Sequence, residues 1–303
     1  MIKDQPEMTT ATELSAADIA RLAGSDFEYR YQELSKFGDA DIRQYIKRTR
    51  TLAAPIATSF NDECNAEWFI RSYLALKLVL SSTLLANTAL YARDHNLQSV
   101  RPYLSYYLML NCCRAFIFTL PCVPWQGLTT IEMTHSKILN VATDKLKRLS
   151  SDEKERCGPI LRVAKEQRDL FSYRFPATGL SLFGANLVDL DVAIDIARLF
   201  AELAQLNLAC LEGEILKKAL GPFSIPQVDD IWHTVRYETA GEDFIDDDDY
   251  QRVGYFYRKY KRPVALVGIA TEGLVEDFFG AWSSGDDEGF DPDSDTSLLL
   301  DLL

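Results

Sequence analysis

The stretch VDLDVAIDIARLFAELAQLNLACLEGEILKKAL, Val188 to Leu220, decides the class of fold. Val192, Ile194, Ile196, Leu199, Phe200, Leu203, Leu206, Leu208 and Leu211 fall on nearly every side of a helix with 3.6 residues per turn. A helix that is apolar all round has no solvated face and belongs in the middle of a bundle. Gly221-Pro222 ends it, since neither residue continues a helix well.

Upstream, long helices are expected at about Asp62 to Asp94, Val100 to Leu120, Thr129 to Leu149 and Asp152 to Tyr173. Pro102 sits at a helix start, and Pro121 and Pro124 follow a helix end. Ser15 caps a short helix through Ala23, with Asp18 in its first turn and Gly24 as its stop. Asp41 to Arg50 reads as a basic, polar segment closed by Pro55. Downstream of Leu220 the pattern changes. IWHTVRYE (Ile231 to Glu238) and VGYFYRKY (Val253 to Tyr260) alternate partly at period two, and PVALVGIA (Pro263 to Ala270) is a short apolar run, which predicts a small module containing a hairpin. The expected fold is mainly α, an antiparallel helical bundle with a small mixed α/β C-terminal module and an acidic tail. Its parts are an N-terminal helical extension over residues 1–60, the bundle over 61–221, the module over 222–284 and the tail over 285–303.

With 303 residues, 47% of them hydrophobic, the chain can bury a large core. Its net charge of −13 is unevenly spread. Glu238 to Tyr250 carries seven acids and no base, Gln251 to Arg262 five bases and no acid, and Pro263 to Leu303 ten acids and no base, so the remaining body is close to neutral. A neutral body gives no support to general nucleic-acid binding, which needs many phosphate-neutralising cations. Met1 to Thr10 lacks the basic start and apolar stretch of an export signal. Tyr73 to Ala92 is long enough to span a bilayer, but Lys77, Asn87 and two serines make it a buried helix of a protein outside the membrane. Six cysteines without a CxxC pair, mostly in apolar helical stretches, suit a reducing cytoplasm.

One residue interrupts this apolar pattern. SYYLMLNCCRAFIFTL, Ser105 to Leu120, carries Arg114 with no acid within a helical turn on either side. At 100° per residue, Tyr103, Asn111, Arg114 and Phe118 lie on one face, each within about 40° of Tyr107. A buried guanidinium must be paired or hydrogen-bonded. Arg114 is therefore either a clamp, reaching a carboxylate such as Asp169 or helix-end carbonyls, or a site residue that meets a phosphate or a partner protein.

RPYLSYYLMLNCCRAFI (Arg101 to Ile117), the Thr134-His135 pair in MTHSKILN, and RDLFSYRFP (Arg168 to Pro176) together resemble the HEPN superfamily of helical domains, closest in pattern to YaaC-like proteins. The similarity covers roughly Glu67 to Pro176. It implies an antiparallel bundle, often dimeric, and a place among toxin–antitoxin or phage-defence ribonucleases or their inactive regulatory relatives. Active members carry a histidine four to six residues after an arginine. Here Phe118, Thr119 and Leu120 follow Arg114 at that spacing, and Ser172, Tyr173 and Arg174 follow Arg168. The expectation is accordingly a non-catalytic HEPN-like binding or regulatory component in the cytoplasm, engaging a protein partner or a second copy, without a cofactor. The alternatives are a ribonuclease acting on RNA through Arg114, His135, Arg168 and Tyr173 from separate helices, and a housekeeping helical protein. Under the first of these three, Arg114 packs beside Arg168 with His135 at the same end.

Other candidates are weaker. His95, His135 and His233 have no metal-ligand spacing with the cysteines, and no metal site is expected. IDDDDY, Ile245 to Tyr250, reads as a solvated acidic turn. Arg258, Lys259, Lys261 and Arg262 interleave with tyrosines, a platform for nucleic acid or a strip that neutralises acidic neighbours. The tail finishes in Leu298, Leu299, Leu300, Leu302 and Leu303, which must be covered by this chain or a second copy. Binding contacts are therefore expected from Tyr107, Asn111, Arg114, Arg258, Lys259, Lys261, Arg262, Leu299 and Leu302.

Overall fold

Helix α8, Leu190–Lys218, forms the centre of the bundle, and every residue from Leu199 to Ile215 is buried. The computed structural model of the chain describes residues 14–25, 29–226, 234–270, 273–283 and 289–300. Around α8 lie α1 (Ala16–Ala23), α2 (Asp39–Thr58), α3 (Asp62–Asp94) and α4 (Arg101–Thr119), with α4 packed between α3 and α8. The short α5 (Leu128–Ile131) leads to α6 (His135–Leu146) and α7 (Ser151–Tyr173), which pack on α4 and on each other. The chain then forms the hairpin of β1 (Arg236–Thr239) and β2 (Glu242–Ile245), followed by α9 (Asp247–Lys259), α10 (Leu266–Ile269) and α11 (Leu274–Gly280). The mainly helical class expected from the sequence is what the structure shows.

Apolar patterning makes α8 central, but its buried polar side chains fix what surrounds it. Glu202 accepts hydrogen bonds from the backbone N–H groups of Glu33 and Leu34, Gln205 from Val267, and Glu212 from Ala265. Asn207 accepts from the Tyr45 hydroxyl at 2.8 Å and donates to Thr119. Each of these groups would be costly to bury alone; Glu202, Gln205 and Glu212 satisfy backbone N–H groups outside the long helices, and Asn207 ties α2 to α4 through side chains. Burial pushes the Glu202 carboxyl up to about 8.

Arg71 does the corresponding work at the end of α4. Its side chain is 2% exposed. Nε donates to the carbonyl of Phe118 at 2.6 Å, and Nη2 donates to those of Leu120 at 2.8 Å and Val123 at 3.2 Å. Nη1 meets the Glu67 carboxylate one turn earlier at 2.9 Å, and the guanidinium lies 3.8 Å from the centroid of the Trp68 ring. A helix C-terminus presents carbonyls without intrahelical donors and a partial negative charge, so a planar cation is well matched to it.

Four local expectations are corrected. Pro55 lies inside α2, which runs on to Thr58 because Ala53 and Ala57 pack into the core on either side of it. Thr129 to Leu149 is two helices, not one: the Ile131 carbonyl, which would accept from His135 in a continuous helix, accepts from Arg114 Nη2 at 2.6 Å. VGYFYRKY is helical, with Val253 and Phe256 buried, and the acidic run supplies its start. Asp246 caps α9 and accepts from the Asp249 N–H, while cations occupy its last turn, an order that suits the helix dipole. The hairpin lies just before it, with its turn at Ala240-Gly241.

The described part of the tail packs on its own chain. Asn87 donates to the carbonyls of Pro292 and Asp295, Arg198 to that of Leu298 at 2.9 Å, and Tyr29 to that of Leu299. Leu299 and Leu300 are buried in the main core; Leu302 lies outside the described residues. Among the described residues, Arg198 is a cation that anchors this segment. Helix α3 is long and apolar enough to cross a membrane, but 67% of its most apolar window is buried within the protein. All six cysteines are free thiols, and burial pushes Cys112 and Cys210 up to about 12.

Arg71→Ala leaves the Phe118 and Val123 carbonyls without their side-chain donor, takes one of two donors from the Leu120 carbonyl and removes the partner of the part-exposed Glu67 carboxylate, so it should cost about 3 kcal/mol in urea unfolding. Arg71→Lys should recover only part of this, because one ammonium lacks the planar fork. A wild-type unfolding midpoint for Arg71→Ala would show that these groups find other donors.

A candidate anion-recognition site on three helices

Helix α4 supplies Tyr106, Tyr107 and Arg114, α6 begins at His135, and α7 supplies Lys165, Arg168 and Asp169. The break between α5 and α6 is what places His135 at a helix start beside α7. Its Nδ1 lies 2.9 Å from Arg168 Nη2 and 3.0 Å from the Tyr106 hydroxyl. The Arg168 guanidinium sits 4.9 Å from the Tyr106 ring centroid and 5.4 Å from that of Tyr107, and Nη1 meets Asp169 at 2.9 Å. The Tyr107 ring stands edge-on to the imidazole at 5.9 Å.

A guanidinium has only donors, so Nδ1 must be the acceptor and the neutral ring carries its proton on Nε2. Burial first, and then the charges of Arg168, Arg114 and Lys165, hold the His135 pKa below its ordinary value, against an opposing pull from Asp169. The folded-state value lies below the unfolded one of about 6.5. The stability contributed by the neutral ring is therefore intact above that value and is lost as pH falls through the folded-state pKa. Burial pushes the Tyr106 phenol up to about 12, so it remains protonated.

Arg114 has a different balance. Its Nη2 donates to the Ile131 carbonyl, and its guanidinium lies 6.0 Å from the Phe118 ring centroid, but it has no carboxylate partner among the described residues. Its Nε is buried without a partner, as is that of Arg168. Burial lowers the Arg114 pKa with no opposing charge to raise it. Two buried guanidinium donors, a neutral imidazole presenting N–H and one carboxylate make a locally cationic, donor-rich cluster, suited to an anionic group.

Arg114, His135 and Arg168 thus occupy one cluster, with Tyr107 as a wall. Tyr173 does not join it. It lies five residues beyond Arg168, about 140° around the helix, and is 81% exposed. Asp169 serves Lys165 and Arg168, not Arg114. Asn111 donates to Ser81 on α3 at 3.3 Å, a helix-packing contact. Arg258, Lys259, Lys261 and Arg262 belong to the end of α9 and the segment after it, where Lys259 lies over the Tyr255 and Tyr260 rings. His95 stacks on Tyr91, and His233 lies outside the described residues.

Two features were missed by sequence reasoning. Tyr106 stands in the Tyr-Tyr pair but about 80° from Arg114, outside the stripe. The second is a groove of about 1300 Å³ between α3, α9 and α11. At its base Asp249, 6% exposed, accepts from the Tyr73 hydroxyl at 2.7 Å and the Tyr237 hydroxyl at 3.2 Å and pairs with Lys77. Lys77, flagged in the sequence only as an obstacle to a membrane span, was the signal for it. No family model, curated protein or solved structure matches the chain.

A clamp and a ligand residue differ in what their loss does. Arg114→Met removes one carbonyl hydrogen bond together with an uncompensated buried charge, so unfolding should shift by only about 1 kcal/mol in either direction. A loss of 3–5 kcal/mol would make Arg114 a structural clamp.

Proposed function

We propose that the chain is a non-catalytic, HEPN-like binding or regulatory component, cytoplasmic, and that the Arg114–His135–Arg168 cluster recognises an anionic group on its partner. Its assignment to a prokaryotic phage-defence or toxin–antitoxin system rests on the resemblance of the Arg101–Ile117, Thr134-His135 and Arg168–Pro176 segments alone. The observation that carries the binding reading is the Arg168–His135 contact at 2.9 Å. It engages the imidazole lone pair that a general base would need to take a proton from a 2'-hydroxyl. What remains on the ring is a donor. The uncompensated charge of Arg114 supports the same reading.

The ribonuclease alternative is favoured by one observation, the convergence of Arg114, His135 and Arg168 from separate helices. It requires the Arg168–His135 bond to open so that Nδ1 becomes available, and Tyr173 has no part in it.

Added inorganic phosphate at constant ionic strength should raise the Tm of the wild type, as any ligand of the folded state does, and raise that of Arg168→Met and His135→Gln much less. Labelled RNA should remain uncut. No phosphate response in the wild type would count against anion recognition, and RNA cleavage that disappears in His135→Gln would establish the enzyme instead.

A further inference from the structure

A second cationic surface lies at the other end of α6, separate from the His135 cluster. A cleft of about 940 Å³ runs between α2 and the turn after α6. Arg43, Lys47, Arg48, Lys147 and Arg148 line it, and Asp144 is the one acid among the described lining residues. Arg43 is paired with Asp39 and Arg48 donates to the Arg148 carbonyl, whereas Lys47, Lys147 and the Arg148 side chain have no ionic partner among the described residues. Asp144 is itself engaged by Lys145 and Lys154. The cleft has no aromatic ring in its described lining for a base to stack on, and half-buried Leu52 adds an apolar contact. That chemistry suits an acidic protein segment better than a single nucleic-acid strand.

The chain itself presents such a segment. Every residue of β1 and β2 is exposed, including the large apolar side chains of Tyr237, Phe244 and Ile245. A bare two-stranded hairpin is marginal in water. Glu242 and, just beyond the hairpin, Asp247 and Asp248 have no ionic partner among the described residues. The hairpin is therefore acidic, apolar at its β2 end, and held mainly at its base, where Tyr237 meets Lys77 and Asp249.

We infer that the β1–β2 hairpin of one copy docks into the α2–α6 cleft of a second copy. Carboxylates of Glu238 and Glu242 meet Lys47, Lys147 and Arg148, and Phe244 and Ile245 lose exposed area. The two surfaces differ, so the contact is heterologous, and each copy retains one free hairpin or one free cleft unless the assembly closes into a ring. Complementary charge makes the association sensitive to salt.

Sedimentation velocity of the full chain tests this. The wild type should self-associate at low salt and dissociate at high salt. Lys47→Glu/Lys147→Glu, which retains an intact hairpin, and Glu238→Lys/Glu242→Lys, which retains an intact cleft, should each weaken association by about tenfold or more. Mixed together, the two variants should form a one-to-one complex, because each supplies the surface the other lacks; this complex also shows that both are folded. A wild type that stays monomeric at low salt overturns the inference, as does a mixture that forms no complex. Tight binding of labelled RNA that is lost in Lys47→Glu/Lys147→Glu would assign the cleft to nucleic acid and overturn it too.

Discussion

The carbonyls at the end of α4 are a constraint on much of the bundle, and Arg71 meets it. The Leu120 carbonyl accepts from the Val123 N–H at 3.1 Å, and the remaining acceptor capacity is met by a donor from a neighbouring helix. With Phe118, Leu120 and Val123 bonded to one guanidinium, the chain stops its helix and turns at Pro121–Trp125, and α6 comes back along α4. Arg114 then takes the Ile131 carbonyl and breaks the helix again, so that His135 opens α6 opposite Arg168. Two arginines on neighbouring helices thus act in sequence, one by ending a helix and one by splitting the next.

The two guanidiniums differ in their partners. Arg71 has three carbonyls, a carboxylate and a tryptophan face, and its remaining charge is well compensated. Arg114 has one carbonyl and an aromatic ring at the limit of useful distance. A fold selected only for stability would pair or replace such a group, since apolar residues of similar size often serve as well. Sites that bind a charged ligand commonly retain an uncompensated group at a cost in stability.

Much of the helical frame was legible because it follows from periodicity and punctuation. Ser15 and Gly24 bound α1 as expected, α3 runs over Asp62–Asp94, and the all-round apolar pattern of Val188 to Leu220 does mark the central helix. What was not legible depends on contacts across the fold. A helix-end carbonyl was among the partners expected for Arg114, but nothing near it in the sequence shows that the carbonyl lies seventeen residues on or that the contact splits a helix. Period-two alternation in VGYFYRKY suggested a strand, but the acidic run before it and the cations within it already described a helix dipole. Arg71 stands in an apolar stretch where only Glu67, one turn before it, marks a local partner, and its three carbonyl acceptors come from residues about fifty positions on. Within the candidate site, Arg114, His135 and Arg168 were foreseen as neighbours, while Tyr173 was placed by its order in the chain rather than its angle on the helix.

The His135 lone pair is held by Arg168, so the ring presents a donor. Long-range ¹⁵N–¹H correlation NMR reads the imidazole directly. The Nε2–H tautomer is expected above neutral pH, with a midpoint below about 6.5 that rises in Arg168→Met. An Nδ1–H tautomer in the wild type, leaving Nε2 as a free base, would contradict it.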